Sequence, residues 1–266
     1  MSGNPYIKEH AADALPNPIL PQPEVAIHGD VTAETKSVIA QAVAAEIANV
    51  HSHYTECGIV FPDVKPSALK VEIYDDQNYR LFSDGPNNWK FNYLLGVKNR
   101  ESILINASLI GLFPDLWLTM VNHEIRHVYI ARGVGIDTFL LSFPLKEGVA
   151  GLAIDSTSRL KQIFADGKDK LIPTLSIHSW DLEFDKAETD RRCFVDSPYY
   201  LGMFSFFHDY VGINLGLLSK LVGLYPQLKD NPRSLTEIWR QTYPELPSLE
   251  TLQDDWLRVN DFQRYV

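Results

Sequence analysis

The segment Pro114-Asp115-Leu116-Trp117-Leu118-Thr119-Met120-Val121-Asn122-His123-Glu124-Ile125-Arg126-His127-Val128-Tyr129-Ile130-Ala131-Arg132-Gly133 decides how the rest of the chain is read. Proline in a first turn and glycine just past a last one bracket a helix. Leu116, Met120, His123, His127 and Ile130 share one face, while Leu118, Val121, Ile125 and Val128 make the other side apolar as well. A helix that is apolar all round belongs in the interior. Burying two histidines, a glutamate and an arginine there without partners would cost several kcal/mol, so each needs an internal partner.

Residues four apart project from the same helical face about one turn apart, so His123 and His127 can aim two imidazoles at one divalent ion. Glu124, one position on, sits beside that ion without being obliged to bind it, where it can take a proton from a water at the metal. Zinc is the expected ion, because it brings the pKa of such a water to about 7. Two histidines and one carboxylate also make the facial triad of non-haem Fe(II) oxygenases, so Fe2+ is the alternative.

A catalytic zinc takes three protein ligands and keeps one position open. Glu147 is the expected third, twenty residues past His127 in Lys146-Glu147-Gly148-Val149-Ala150, in the first turn of a helix expected from Leu145 to Phe164. Asp137, in the loop Gly133-Val134-Gly135-Ile136-Asp137, is the rival, although aspartate at such a place is commonly a turn residue. The small residues Gly148, Ala150 and Gly151 would let this helix approach the preceding one closely.

At this point the sequence resembles the gluzincin clan of metallopeptidases, which includes thermolysin-like enzymes and aminopeptidases sharing their catalytic core. There an HExxH helix is followed by a helix whose Glu, commonly in a Glu-Gly-x-Ala context, completes the site. The resemblance makes His123, His127 and Glu147 the ligands, Glu124 the base and the chain a zinc-dependent hydrolase cleaving peptide bonds. It covers about Ser102 to Phe164 and extends weakly to about Gly212. Tyr199-Tyr200-Leu201-Gly202 matches the Tyr-x-x-Gly whose hydroxyl steadies the tetrahedral intermediate in the aminopeptidase branch, with Tyr199 as donor or the adjacent Tyr200 in its place; equally, both tyrosines are ordinary packing residues. Two departures stand out. No Gly-x-Met-x-Asn segment precedes the HExxH helix, although Ser102 to Ala107 fits the edge strand along which such enzymes align a peptide. Position 151 is glycine where thermolysin-like enzymes carry an aspartate that orients a histidine, a task left to Asp155 or Asn122.

Outward from this centre, 266 residues with 45% hydrophobic content suffice for one sizeable core or two lobes around a cleft. A net charge of −10 and no basic run argue against a nucleic-acid partner; a peptide or small-molecule substrate is what the resemblance implies. The two cysteines, Cys57 and Cys193, form no CxxC pair and read as free thiols. No apolar stretch reaches the ~20 residues that span a bilayer, and no secretory signal is visible, so no membrane association and cytoplasmic residence are expected. The sequence sets no oligomeric state.

Residues 1–30, with Pro16, Pro18, Pro21 and Pro23, read as an extended N-terminal arm. Residues 31–165 read as an α+β, zincin-like metal-binding lobe: an amphipathic helix from Thr32 to about Tyr54, strands at Leu69 to Tyr74, Tyr79 to Phe82, Phe91 to Val97 and Ser102 to Ala107 forming a small twisted sheet, then the HExxH helix. Residues 166–266 read as a helical lobe closing the cleft, with segments near Ala187 to Arg192, Pro198 to Tyr210, Leu215 to Leu224, Ser234 to Thr242 and Leu249 to Tyr265. Arg126 is expected to pair with a carboxylate such as Asp155 or Asp190. His208, beside Asp209, reads as a packed residue in preference to a transition-state imidazole, and His51, His53 and His178 as residues without a catalytic role. A fold kept as an inactive binding module, its cleft closed by the arm or by aromatics, is the non-enzymatic alternative.

Overall fold

The computed structural model describes residues 23–61, 64, 69–75, 77, 95–98, 102–107, 117–135, 143–151, 153–166, 177, 198–229 and 234–263. Within them the chain runs β1 (Glu24–His28), α1 (Ala33–Glu56), β2 (Lys70–Tyr74), β3 (Leu95–Lys98), β4 (Ser102–Asn106), α2 (Trp117–Val134), α3 (Phe143–Ala150), α4 (Ser156–Ala165) and α5 (Pro198–Met203). A π-helix over Phe204–Asn214 continues α5, and α6 (Leu218–Gly223), α7 (Tyr225–Lys229), α8 (Leu235–Thr242) and α9 (Leu249–Asn260) follow. The fold is mixed α and β, with helices predominating.

The sheet has the order β1-β2-β4-β3, with β1, β2 and β4 parallel and β3 antiparallel to β4. Parallel neighbours need a crossover, and α1 supplies it between β1 and β2. Val71, Ile73, Ile103 and Ile105, alternating along β2 and β4, are fully buried on the face that joins the core. Two expectations change here. Glu24–His28, at the end of the stretch read as an arm, is an outer strand of the sheet; the rest of that arm, residues 1–22, lies outside the described residues. Ser102–Asn106 is not an edge strand, because β2 and β3 flank it and β3 takes the outer place. The strand expected at Tyr79 to Phe82 and the helix near Ala187 to Arg192 also lie outside the described residues.

Thr32 starts α1 by accepting the Thr35 N–H on its hydroxyl at 3.1 Å. Ile39, Val43, Ile47, Val50 and Tyr54 recur every three or four residues, and this stripe packs along α2. As expected from its composition, α2 is interior: every residue from Met120 to Ala131 is buried except Glu124, which is half-buried. Its other flank lies on β3 and β4.

The single helix expected from Leu145 to Phe164 is two. Gly151 takes a left-handed conformation, φ +60, that ends α3. Asp155 then caps α4, its side chain accepting the Ser158 N–H at 2.9 Å. The small residues of α3 do allow a close approach, but the neighbour is the π-helix: a methyl on Gly148 would come within 2.6 Å of the Phe207 ring. One apolar cluster runs from Ile39 on α1 to Phe262 after α9, so the sheet side and the helical rear share a core. Among the described residues no helix is long and apolar enough to cross a membrane, and Cys57 is a free, partly buried thiol.

Because Phe207 is fully buried and cannot swing away, Gly148→Val is expected to destabilise the fold by about 3 kcal/mol, the upper part of the usual overpacking range. Urea denaturation of the variant against the wild type measures this; equal midpoints would contradict the close contact.

Candidate metal centre

His123 and His127 sit one turn apart on α2, and Glu147 projects from α3 toward them. All three are buried, at 4%, 7% and 8% exposure. The two Nε2 atoms are 2.9 Å apart, and Glu147 Oε2 lies 3.0 Å from His123 Nε2 and 3.4 Å from His127 Nε2. One ligand atom from each residue falls within 4.8 Å of the others, so the group can hold a metal ion. A tetrahedral ion with bonds of about 2.1 Å would set its ligand atoms roughly 3.4 Å apart, close to these separations.

The hydrogen bonds around the group fix which atoms face inward. His123 Nδ1 donates to the Gly151 carbonyl at 2.7 Å; a carbonyl only accepts, so Nδ1 carries a proton and Nε2 is the atom turned toward the other two residues. Lys146 Nζ lies 3.2 Å from Glu147 Oε1, which leaves Oε2 as the oxygen turned toward the histidines. Burial opposes ionisation of both partners, but it loses. Burial pulls His123 down, yet the hydrogen bond and charge of Glu147 and the charge of Glu124 hold it above the usual histidine value. Burial pushes Glu147 up, yet Lys146 and the two histidines hold it well below the usual carboxylate value. Glu147 is therefore held as a carboxylate facing the histidines.

The orienting task proposed for Asp155 or Asn122 falls to neither. Asp155 is occupied as the cap of α4, and Asn122 donates to Glu46 Oε2 on α1 at 2.7 Å. The Gly151 backbone does it instead. Glycine is needed twice at that position: for its positive φ, and because a Cβ would lie 2.2 Å from His208 Cγ. The sequence signal was the glycine itself, standing where a side chain was expected.

Arg126 contacts neither Asp155 nor any other carboxylate among the described residues; Asp190 lies outside them, as do the rival ligand Asp137 and His178. Its Nε donates to Asn122 Oδ1 at 2.8 Å and its Nη1 to His208 Nε2. His208 is buried, as expected of a packed residue, and its Nδ1 lies 3.0 Å from Asp209 Oδ1. His51 lies against Tyr129, and His53 against Cys57 and the His208 ring. Phe204, at the start of the π-helix, packs edge-on against His123 with centroids 5.3 Å apart. Tyr200 lies 5.8 Å from Phe204 and 5.9 Å from Tyr199. Tyr199 is buried in the core, and Tyr200 is partly exposed.

Compared with protein-family models, with curated proteins and with solved structures, the chain matches none.

Asp209 lies behind His208 with its side chain mostly buried. Burial first, then the Asp155 charge, push it up to about 7, against the Ser156 and Thr157 N–H groups and Arg126, which favour the ionised form. The folded pKa lies above the ordinary carboxylate value of 3.8, so the folded state holds this proton more tightly than the unfolded one. Its contribution to stability is complete below about pH 4 and is lost as pH rises through about 7. Asp209→Asn should remove that loss, so between pH 5 and pH 8 the variant should gain on the wild type by a few kcal/mol. Urea denaturation of both proteins at the two pH values checks this, and a difference independent of pH would refute it.

Proposed function

We propose that this chain is a zinc-dependent hydrolase of gluzincin type, with a zincin-like arrangement of helices around its centre, that cleaves peptide bonds. The observation that carries the reading is the convergence of His123 Nε2, His127 Nε2 and Glu147 Oε2 from two helices, with the His123 tautomer set by a backbone carbonyl. The spacing and order of these residues match the motif resemblance, and their burial supplies the dry surroundings that such chemistry needs.

A zinc ion held by these three residues supplies Lewis acidity, polarising a substrate carbonyl and making a water acidic near neutral pH. Glu124 follows His123 on α2 and, half-buried, keeps contact with the solvent side. Its carboxylate takes the proton of the attacking water and delivers it to the leaving amine. Of the two tyrosines Tyr200 is the better placed to donate to the developing oxyanion, since it is partly exposed and stands next to Phe204 and thereby to His123. Tyr199, in the core, supports it. The Gly151 carbonyl holds the His123 ring, and Lys146 holds the free oxygen of Glu147.

Protein purified without chelators should contain about one zinc per chain, and Glu147→Ala should contain little. Iron in place of zinc, together with oxygen consumption, would replace this proposal with the oxygenase alternative. Glu124→Gln should keep the metal and lower peptidase turnover by about 10²–10⁴-fold; turnover equal to the wild type would rule out the mechanism. If the zinc-loaded wild type hydrolyses no member of a broad peptide library, the binding-module alternative takes over.

The ion would tie α2 to α3, so chelation should also lower the melting temperature. An unchanged melting curve after verified metal removal would contradict the ligand set.

A further inference from the structure

Arg126 is a buried cation that the proposed reaction does not use. It is 5% exposed on α2, one residue before His127. Among the described residues, carboxylates reach it only through intermediaries: Asn122 links it to Glu46, and His208 links it to Asp209. A buried guanidinium left wholly unpaired would cost several kcal/mol, and this relay is how the fold avoids that.

The relay also fixes the state of His208. A guanidinium only donates, so His208 Nε2 accepts and the ring proton sits on Nδ1, facing Asp209. Burial and the charge of Arg126 hold His208 well below the usual histidine value, which keeps the ring neutral and able to accept. Held at both nitrogens, the ring lies against the α-carbon of Gly151, where a methyl group would come within 2.2 Å of Cγ. The carbonyl of that glycine accepts the hydrogen bond from His123 Nδ1–H.

We infer that His208 is a positioning residue for the metal centre: clamped between Arg126 and Asp209, its imidazole braces the Gly151 turn and so holds the carbonyl that orients His123. Arg126 shares a helix with both histidine ligands, so the clamp locks the ligand helix to the turn that aims one of them. The inference rests on the metal centre proposed above and adds residues that do not touch the ion.

The test uses the full chain with Zn2+ and, as a spectroscopic probe of ligand geometry, Co2+. His208→Leu should weaken Zn2+ binding by about 10–100-fold, the usual cost of losing support behind a ligand, and should shift the Co2+ d–d bands. His208→Gln, which can present an amide oxygen to Arg126, should recover most of the affinity and the wild-type spectrum. Unchanged affinity and spectrum in His208→Leu would overturn the inference and leave the metal centre standing. A Gln variant as weak as the Leu variant would reduce His208 to a packing residue and overturn it as well. A wild type that takes up neither metal would remove the metal centre, and the inference with it. If His208→Leu does not fold, the imidazole ¹⁵N–¹H correlations of the wild type decide: protons on Nδ1 of both His208 and His123 are expected, and a proton on Nε2 of His208 would overturn the clamp.

Discussion

The constraint on which this structure turns is the need to satisfy polar groups inside an apolar layer. α2 is buried on nearly every side, yet it carries Asn122, His123, Arg126 and His127 into the interior. Each must find a partner within the protein or impose a desolvation cost large enough to undo much of a domain's net stability. The rest of the fold supplies those partners: Glu46 from α1, Glu147 from α3, the carbonyl at the end of α3, and His208 from the π-helix. Because these partners come from α1, α3 and the π-helix, the bonds also fix how those elements sit around α2. The site and the packing are one arrangement.

Electrostatics divides that interior in two. On one side, against the pull of burial, Glu147 holds His123 above the usual histidine value. On the other, Arg126 keeps His208 neutral, and burial pulls His53 down to about 4, with Arg126 acting in the same direction. Histidines of one interior, delivered by three separate helices, are thus held in different protonation preferences. Gly151 lies between the two regions, touching His208 with its α-carbon and His123 with its carbonyl.

Much of this could be read from the sequence where the signal was local. The HExxH spacing, the all-round apolar character of α2, the cap at Thr32 and the strands at Lys70–Tyr74 and Ser102–Asn106 follow from periodicity and end signals. The convergence of Glu147 on the histidines came from its place in the next helix and from a motif resemblance, and the geometry brings the three residues together. What escaped was non-local or masked by a stronger neighbour. β1 shows alternation in Val25 and Ile27, but the prolines before it pulled the whole stretch into an arm. The break at Gly151 was hidden because Leu145, Val149, Leu160 and Ile163 suggest one continuous stripe, although Gly151 and the capping run Asp155-Ser156-Thr157-Ser158 mark the interruption. The route from Arg126 to its carboxylates runs through Asn122 and His208, and spacing along a chain cannot reveal an intermediary that another helix delivers.

The winding of Phe204–Asn214 has its own consequence. A π-helix holds more residues per turn than an α-helix, so the segment amounts to a local insertion that the fold has absorbed. Rewinding the same residues as an ordinary α-helix, at about 100° per residue, would turn each side chain of the segment to a new direction relative to α5. His208 and Asp209 would then leave the sector facing α2 and α4. The winding of this segment is therefore a phase constraint: His208 and Asp209 meet their partners on α2 and α4 because this stretch turns more slowly than an α-helix.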